Sequence, residues 1–288
     1  MKTICSVASA SDLALQRSRG RALLCFEARD GRSALVERYS RAPMRILTPR
    51  AVNGVPEAVI ANLAGGIAGG DRCEIGVAVG PGAEAVVSGQ AAEKVYRAID
   101  APAEWTTRLT LGPGATLEWL PQETILFDGA RLRRRIEVDM ADDARLLAVE
   151  TLVFGRAAHG ERMVSGGLAD RWRIDRDGRP VWRDALRIGS GVFEAVAAAE
   201  AGLRGARVSA TLIYAAPDAA ERLEDLRRLL SVSGMSAFAG ASAVRGLVAV
   251  RFLAPEGGAF KRELAEFLGA LRASVFDRPA LAPRVWLC

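Results

Sequence analysis

One repeat constrains this chain more than any other feature. Between Cys73 and Phe154 a pattern returns about every 30 residues, a period typical of stacked units. Each copy opens with alternating apolar residues: Ile75, Val77 and Val79; then Trp105, Thr107, Leu109 and Leu111; then Ile136, Val138 and Met140. Alternation of period two puts one face of a strand on a core. Each copy then meets a turn, "GPGAE", "GPGAT" or "ADDAR", and continues as a second short strand, "AVVSG", "LEWLP" or "LLAVE". Pro-Gly pairs and aspartates supply the preset φ and the local hydrogen bonds that turns need. Ala83, Ala115 and Ala144 align at the turn exits. Stacked units of this size share one continuous core. The expected fold is therefore mainly β: a layered, distorted β-helix or solenoid-like stack of hairpins. A β-sandwich with similar hairpins is the alternative.

The flanks add to this. "ALLCFEARDGRSALVERYS" reads as a hairpin turning at Asp30-Gly31. Further strands are expected at Leu168 to Ile174, Val181 to Ile188, Ala206 to Tyr214 and Ala243 to Leu253. Two helices are expected in the C-terminal third. "PDAAERLEDLRRLLSVSG" carries Leu223, Leu226, Leu229 and Leu230 on one face and ends at Gly234. "FKRELAEFLGALRASVF" carries Leu264, Phe267, Leu268 and Leu271, and Pro279 and Pro283 forbid its continuation. No low-complexity linker divides the chain. A single domain over 1–288 is expected, with the hairpin repeats at about 21–190 and the later strands and two helices at about 206–288.

Composition removes several function classes. Half the residues are apolar, but no apolar run reaches the roughly 18 residues that cross a bilayer. The first 20 residues lack a signal-peptide core, so a cytoplasmic location is expected. Cys5, Cys25, Cys73 and Cys288 form no CxxC pair, which argues against a disulfide framework and a zinc site. The net charge is +5, and nearly all basic residues are arginine. The densest run, "ARLRRR" from Ala130 to Arg135, reads as a solvated strand face. Acids lie among the arginines and no stacking aromatics accompany them, so nucleic acid is not the expected partner.

Catalytic signatures are missing too. "NLAGGIAGGDRCEIGV", Asn62 to Val77, has glycines but an acid where a P-loop needs lysine. It leads into strand pattern, whereas a dinucleotide loop opens a helix. Glycine there is expected to supply positive φ or close backbone approach. His159 is the single histidine, and no GxSxG elbow exists. Glu93, Glu123 and Glu150 fall near corresponding strand exits of successive repeats. Stacked carboxylates repel unless solvated, protonated or bridged by a cation. Asp71, Asp128 and Glu161 could join such a site, although three solvated rim glutamates explain the pattern equally. A carboxylate-dependent hydrolase on a β-solenoid stays open as an alternative.

The motifs "APMRILTP", "NLAGGIAGGDRCEIGVAVGPGAEAVVSGQAAEKVYRA", "LEWLPQETILFDGARLRRRIEV" and "LLAVETLVFGRAAHGERM" resemble the UreD family of urease accessory proteins, also called UreH. The resemblance runs from about Ala42 to Ile188 and weakens towards the chain end. Its signature falls on Gly69, Gly70 and Asp71; on Gln90, Glu93, Lys94, Tyr96 and Arg97; on Pro121, Gln122, Glu123, Phe127 and Gly129; and on Gly155, Arg156, Gly160 and Glu161. The resemblance implies a chaperone of metallocentre assembly, not an enzyme. It implies binding to apo-urease together with a helical accessory protein and an accessory GTPase, in support of nickel insertion. It implies a distorted β-helical fold with a few helices, and an internal channel for nickel. No cofactor is expected to be tightly bound, and nickel(II) would only pass through. Glu93, Glu123, Asp128, Glu150 and Glu161 are the expected transit residues. The other signature positions are expected to be structural or to bind partners.

Overall fold

The computed structural model describes residues 17–50 and 54–287. Cys5 and Cys288 lie outside the described residues. The chain starts with β1 (Arg19–Arg29) and β2 (Arg32–Arg41), an antiparallel hairpin. Asp30 and Gly31 turn it with φ of 50° and 72°, the left-handed pair that a two-residue hairpin needs. A second antiparallel pair follows, β3 (Met44–Leu47) with β4 (Glu57–Asn62).

The repeat then forms three rungs. The first is β5 (Arg72–Val79), β6 (Glu84–Gly89) and β7 (Glu93–Val95). The second is β8 (Ala103–Leu111), β9 (Thr116–Leu120) and β10 (Thr124–Leu126). The third is β11 (Arg131–Met140) with the long β12 (Arg145–Phe154). The layered β-solenoid expectation holds, but a rung is not a hairpin. Its two main strands lie in different sheets, and each pairs in parallel with its counterpart one rung away: β5 with β8, β8 with β11, β6 with β9, β9 with β12. Alternation states which face is buried; it says nothing of which strand lies alongside.

The turn chemistry explains the stacking. Ala83, Ala115 and Ala144 each donate their amide three residues back, to Gly80, Gly112 and Ala141. The turns also bond one another: the Gly82 amide donates to the Pro113 carbonyl at 2.8 Å, and the Gly114 amide to the Asp143 carboxylate at 2.9 Å. All three alanines are fully buried, so these corners are spaced by methyl groups. The third copy has Asp143 where the first two have glycine, and its carboxylate is the acceptor that ties this corner to Gly114.

Five strands make the parallel heart of the first sheet, after β13 (Gly167–Arg176) joins β11; β14 (Arg179–Ile188) and β2 close its edges antiparallel. A short helix, α1 (Phe193–Ala198), leads to β15 (Val208–Ala215), which pairs antiparallel with β12. Helix α2 (Leu223–Val232) precedes β16 (Phe238–Val244) and β17 (Leu247–Ala254), which extend the second sheet. The single strand expected over Ala243 to Leu253 is thus a hairpin, split at Arg245 and Gly246 with φ of 45° and 78°.

Helix α3 (Gly257–Phe276) covers the outer face of the second sheet. Glu256 caps it by accepting from the Gly258 and Ala259 amides. This cover explains why β12, "RLLAVETLVF", is buried along nearly its whole length: it has a core on both faces. The fully buried Glu118 of β9 pairs with Arg272 of α3 and with Arg278, fixing the helix to the sheet. Both expected helices are present; α1 is additional.

The glycine stretch is a set of tight turns before β5. Gly65, Gly66 and Gly70 have φ of 73°, 155° and 88°. A Cβ on Gly69 would overlap the Ala101 carbonyl oxygen. Asp71 accepts from the Ser18 and Ala68 amides, both at 2.8 Å, and so holds the loop closed.

Candidate functional site: a polar cavity between the sheets

A cavity of about 240 Å³ lies inside the solenoid, bounded by residues of both sheets. Its apolar wall includes Ile60, Ile75, Trp105 and Trp119. Its polar wall includes Asn62, Ser88, Glu93, Gln122, Arg134 and Glu150. Parallel stacking brings these together. In each rung the first-sheet strand turns its inner face towards the second sheet, so side chains from separate rungs converge.

Arg134 organises one end. It forms a two-pronged pair with Asp170, with Nε and Nη2 both at 2.8 Å. Its Nη1 donates to Glu150 at 2.6 Å, and Trp119 Nε1 donates to the other Glu150 oxygen at 2.8 Å. All three charged groups are buried. Burial pushes the Glu150 carboxyl up, against the pull of Arg134 and Trp119. A solvated face was expected for the arginine run. Arg131, Arg133 and Arg135 are indeed exposed, but Arg134 points inward. Period two carries the signal: Leu132, Arg134, Ile136 and Val138 share one face, so Arg134 occupies a core position.

Glu93 also lines the cavity and is half-buried. Burial pushes its carboxyl up to about 7, against a 2.9 Å hydrogen bond from Asn62 Nδ2 and the charge of Lys94. Two buried oxygens of the same wall, Ser88 Oγ and Gln122 Oε1, have no hydrogen-bond partner. The wall therefore offers one titrating carboxylate and two unengaged neutral oxygens. Cys73 is near enough to feel the Glu93 charge, but burial pushes its thiol up to about 12, so it is no thiolate at neutral pH.

The remaining expected residues fall elsewhere. The register sets Glu93 beside Thr124, and Thr124 beside Leu152, so Glu93, Glu123 and Glu150 occupy different rows. Glu123 is half-buried outside the cavity wall, and its carbonyl accepts from the Glu93 amide. Asp128 and Glu161 meet at the edge of the solenoid. Asp128 accepts from the Val164 and Ser165 amides and the Ser165 hydroxyl, and pairs with Arg97 at 2.7 Å. Burial raises its carboxyl, but the Ser165 and Val164 donors and Arg97 outweigh that and hold it low. Glu161 accepts from the Asp128 amide and pairs with Arg156 at 2.6 Å. Arg156 stacks over Phe127, and Tyr96 meets the same ring edge-on at 5.1 Å. Signature residues from three motif blocks thus converge on one clamp, with Gly129, Gly155 and Gly160 at φ of 77°, 86° and 69°.

Among the described residues no group of three or more His, Cys, Asp and Glu side chains is arranged to hold a metal ion. His159 is exposed on a short turn. No helix of the described residues is long and apolar enough to cross a membrane. Asn62, Ser88, Trp119, Arg134 and Asp170 were not singled out from the sequence, although Arg134 and Asp170 both carry a periodicity signal, Asp170 alternating with Leu168, Trp172 and Ile174 on one face.

Fold and site together define a two-sheeted β-solenoid protein with an interior cavity that has one polar and one apolar wall. The UreD urease accessory protein family matches residues 18–287, further at both ends than the motif resemblance. A urease accessory protein UreD of Xanthobacter autotrophicus is 46% identical over 282 residues, covering 98% of this chain and 94% of the relative. One from Methylobacterium sp. strain 4-46 is 44% identical over 275 residues, covering 94% and 95%. A UreD 2 of Methylorubrum populi is 45% identical over 260 residues, covering 90% and 85%. The chain belongs to the UreD urease accessory protein family, and its role lies in urease maturation.

Proposed function

We propose that this chain is a cytoplasmic, non-catalytic scaffold that binds apo-urease and works with a helical accessory protein and an accessory GTPase while nickel is inserted. Family membership supports the scaffold role. The GTPase must be another chain, because this sequence has no GxxxxGK followed by Ser or Thr.

We infer further that nickel(II) passes through the interior cavity as cargo. The observation that carries this is Glu93, a carboxyl held near neutrality beside the unengaged oxygens of Ser88 and Gln122. Nickel binds nitrogen and sulfur donors tightly and oxygen donors weakly, so a wall whose free acceptors are the oxygens of Glu93, Ser88 and Gln122 suits passage over storage. Entry of the ion would expel the Glu93 proton, and departure would return it, so the site resets by taking a proton from solvent. Glu150 is already engaged by Arg134 and Trp119, which suits it to a fixed field rather than a moving ligand. The same engagement weakens the hydrolase alternative, which needs two free carboxyls.

The scaffold role is tested by co-expressing this chain with the urease subunits and the other accessory proteins. Co-purification with apo-urease, and loss of urease activation when this chain is omitted, is the expected result. Full activation without it would overturn the reading.

A further inference from the structure

The outer face of the first sheet shows two different charge patterns. Over its middle strands arginines sit beside acids: Arg21 with Glu74 at 3.5 Å, Arg72 with Glu104 at 3.3 Å, Arg108 with Glu137 at 3.2 Å. On the last strands Arg173 and Arg183 still pair with Asp139 and Asp175, but the two rows before them carry no paired acid on β13 or β14. Arg135 of β11 lies directly beside Arg171 of β13, and Arg171 beside Ala185 of β14. One row along, Arg133 lies beside Ala169, and Ala169 beside Arg187. All four arginines are exposed. Among the described residues the side chains of Arg135, Arg171 and Arg187 make no hydrogen bond or ion pair, and Arg133 reaches Glu104 only at 3.9 Å. Like charges placed side by side across strands destabilise a sheet. Here the cost is kept where Thr or Glu would remove it.

Ala169 and Ala185 leave short side chains beside the arginines, and a surface depression of about 410 Å³ runs past Arg135, Arg171, Arg183 and Ala185, with Glu137 and Asp184 also on its lining and the Arg133–Arg187 row next to it. The rows are two residues apart, about 6.6 Å. That is also the spacing of side chains on alternate residues of an extended segment. We propose that this face docks an extended acidic segment of a partner protein, with carboxylates on alternate residues seated on the Arg133–Arg187 and Arg135–Arg171 rows. Guanidinium groups free of acids can each take a carboxylate in a two-pronged pair. Glu104, Glu137 and Asp184 flank the patch and confine an anionic ligand to the two arginine rows, which suits a short peptide better than a long phosphate backbone. The patch also lacks an exposed ring for base stacking, since Trp172 is buried. This proposal is independent of the nickel path, since the patch faces away from the cavity.

The test uses the full chain and a fluorescent peptide with glutamate at every second position, read by anisotropy at low and moderate salt. The expected result is binding that a lysine counterpart does not show, weakened about tenfold in R135Q/R171Q, with a flatter salt dependence. That variant relieves repulsion, so it should melt no lower than the parent, and lost binding could not be blamed on misfolding. Equal binding by parent and variant, or no binding by the parent, would overturn the proposal. So would tighter binding of oligothymidylate that is lost in the same variant.

Discussion

Arg134→Met is expected to destabilise the protein more than any other single change in the cavity. The arginine neutralises two buried carboxylates, Asp170 through two hydrogen bonds and Glu150 through one. Removing one partner of a buried pair strands the other charge and typically costs about 3–5 kcal/mol. Two stranded carboxylates put the loss at or above the top of that range, a large part of the roughly 5–15 kcal/mol that a domain has. The stranded groups would take up protons instead of staying charged, so the loss should shrink at acid pH. Denaturant unfolding at pH 8 and pH 5 checks both points. Adding E150Q and D170N to the methionine variant should recover most of the stability. A loss under about 1 kcal/mol at pH 8 would mean the pair does not hold the interior.

Glu93→Gln is expected to do the opposite at neutral and alkaline pH. The folded carboxyl is raised from 4.5 to about 7 by burial. Between those values the folded state binds more protons than the unfolded state, so stability falls as pH rises through that window and levels off above 7. The charged form at pH 8 therefore carries a penalty of up to about 3 kcal/mol, which a neutral glutamine lacks. Glutamine also keeps an oxygen to accept from Asn62. The variant should melt several degrees higher than the parent at pH 8 and match it near pH 4.5. Thermal melts across pH 4.5 to 8 measure this. A variant that is less stable at pH 8 would show that the carboxylate is better solvated than its burial implies.

These two residues differ in how legible they were. Glu93 and Glu150 stood out as acids at strand exits after aligned alanines, because turn chemistry and period-two alternation are local. Ala83, Ala115 and Ala144 fixed the rungs for the same reason. Their partners were not local. Arg134 meets Asp170 across 36 residues, and Asn62 meets Glu93 across 31. Those contacts follow from parallel pairing between rungs, which alternation cannot specify. The clustered arginines hid the one that points inward. The break at Arg245-Gly246 was missed because a long apolar run on both sides masked a two-residue turn.

A charged Glu93 costs the fold stability, yet the cavity keeps a carboxyl where an amide would fit. Stability lost at a fixed place is a mark of a working site. The most direct measurement is therefore urease activation at limiting nickel with Glu93→Gln in the intact accessory complex. The account predicts a loss of several-fold at limiting nickel, recovered as nickel is raised, in a variant that folds as well as the parent or better. Full activation at limiting nickel, with the complex assembled normally, would contradict the nickel path through this cavity.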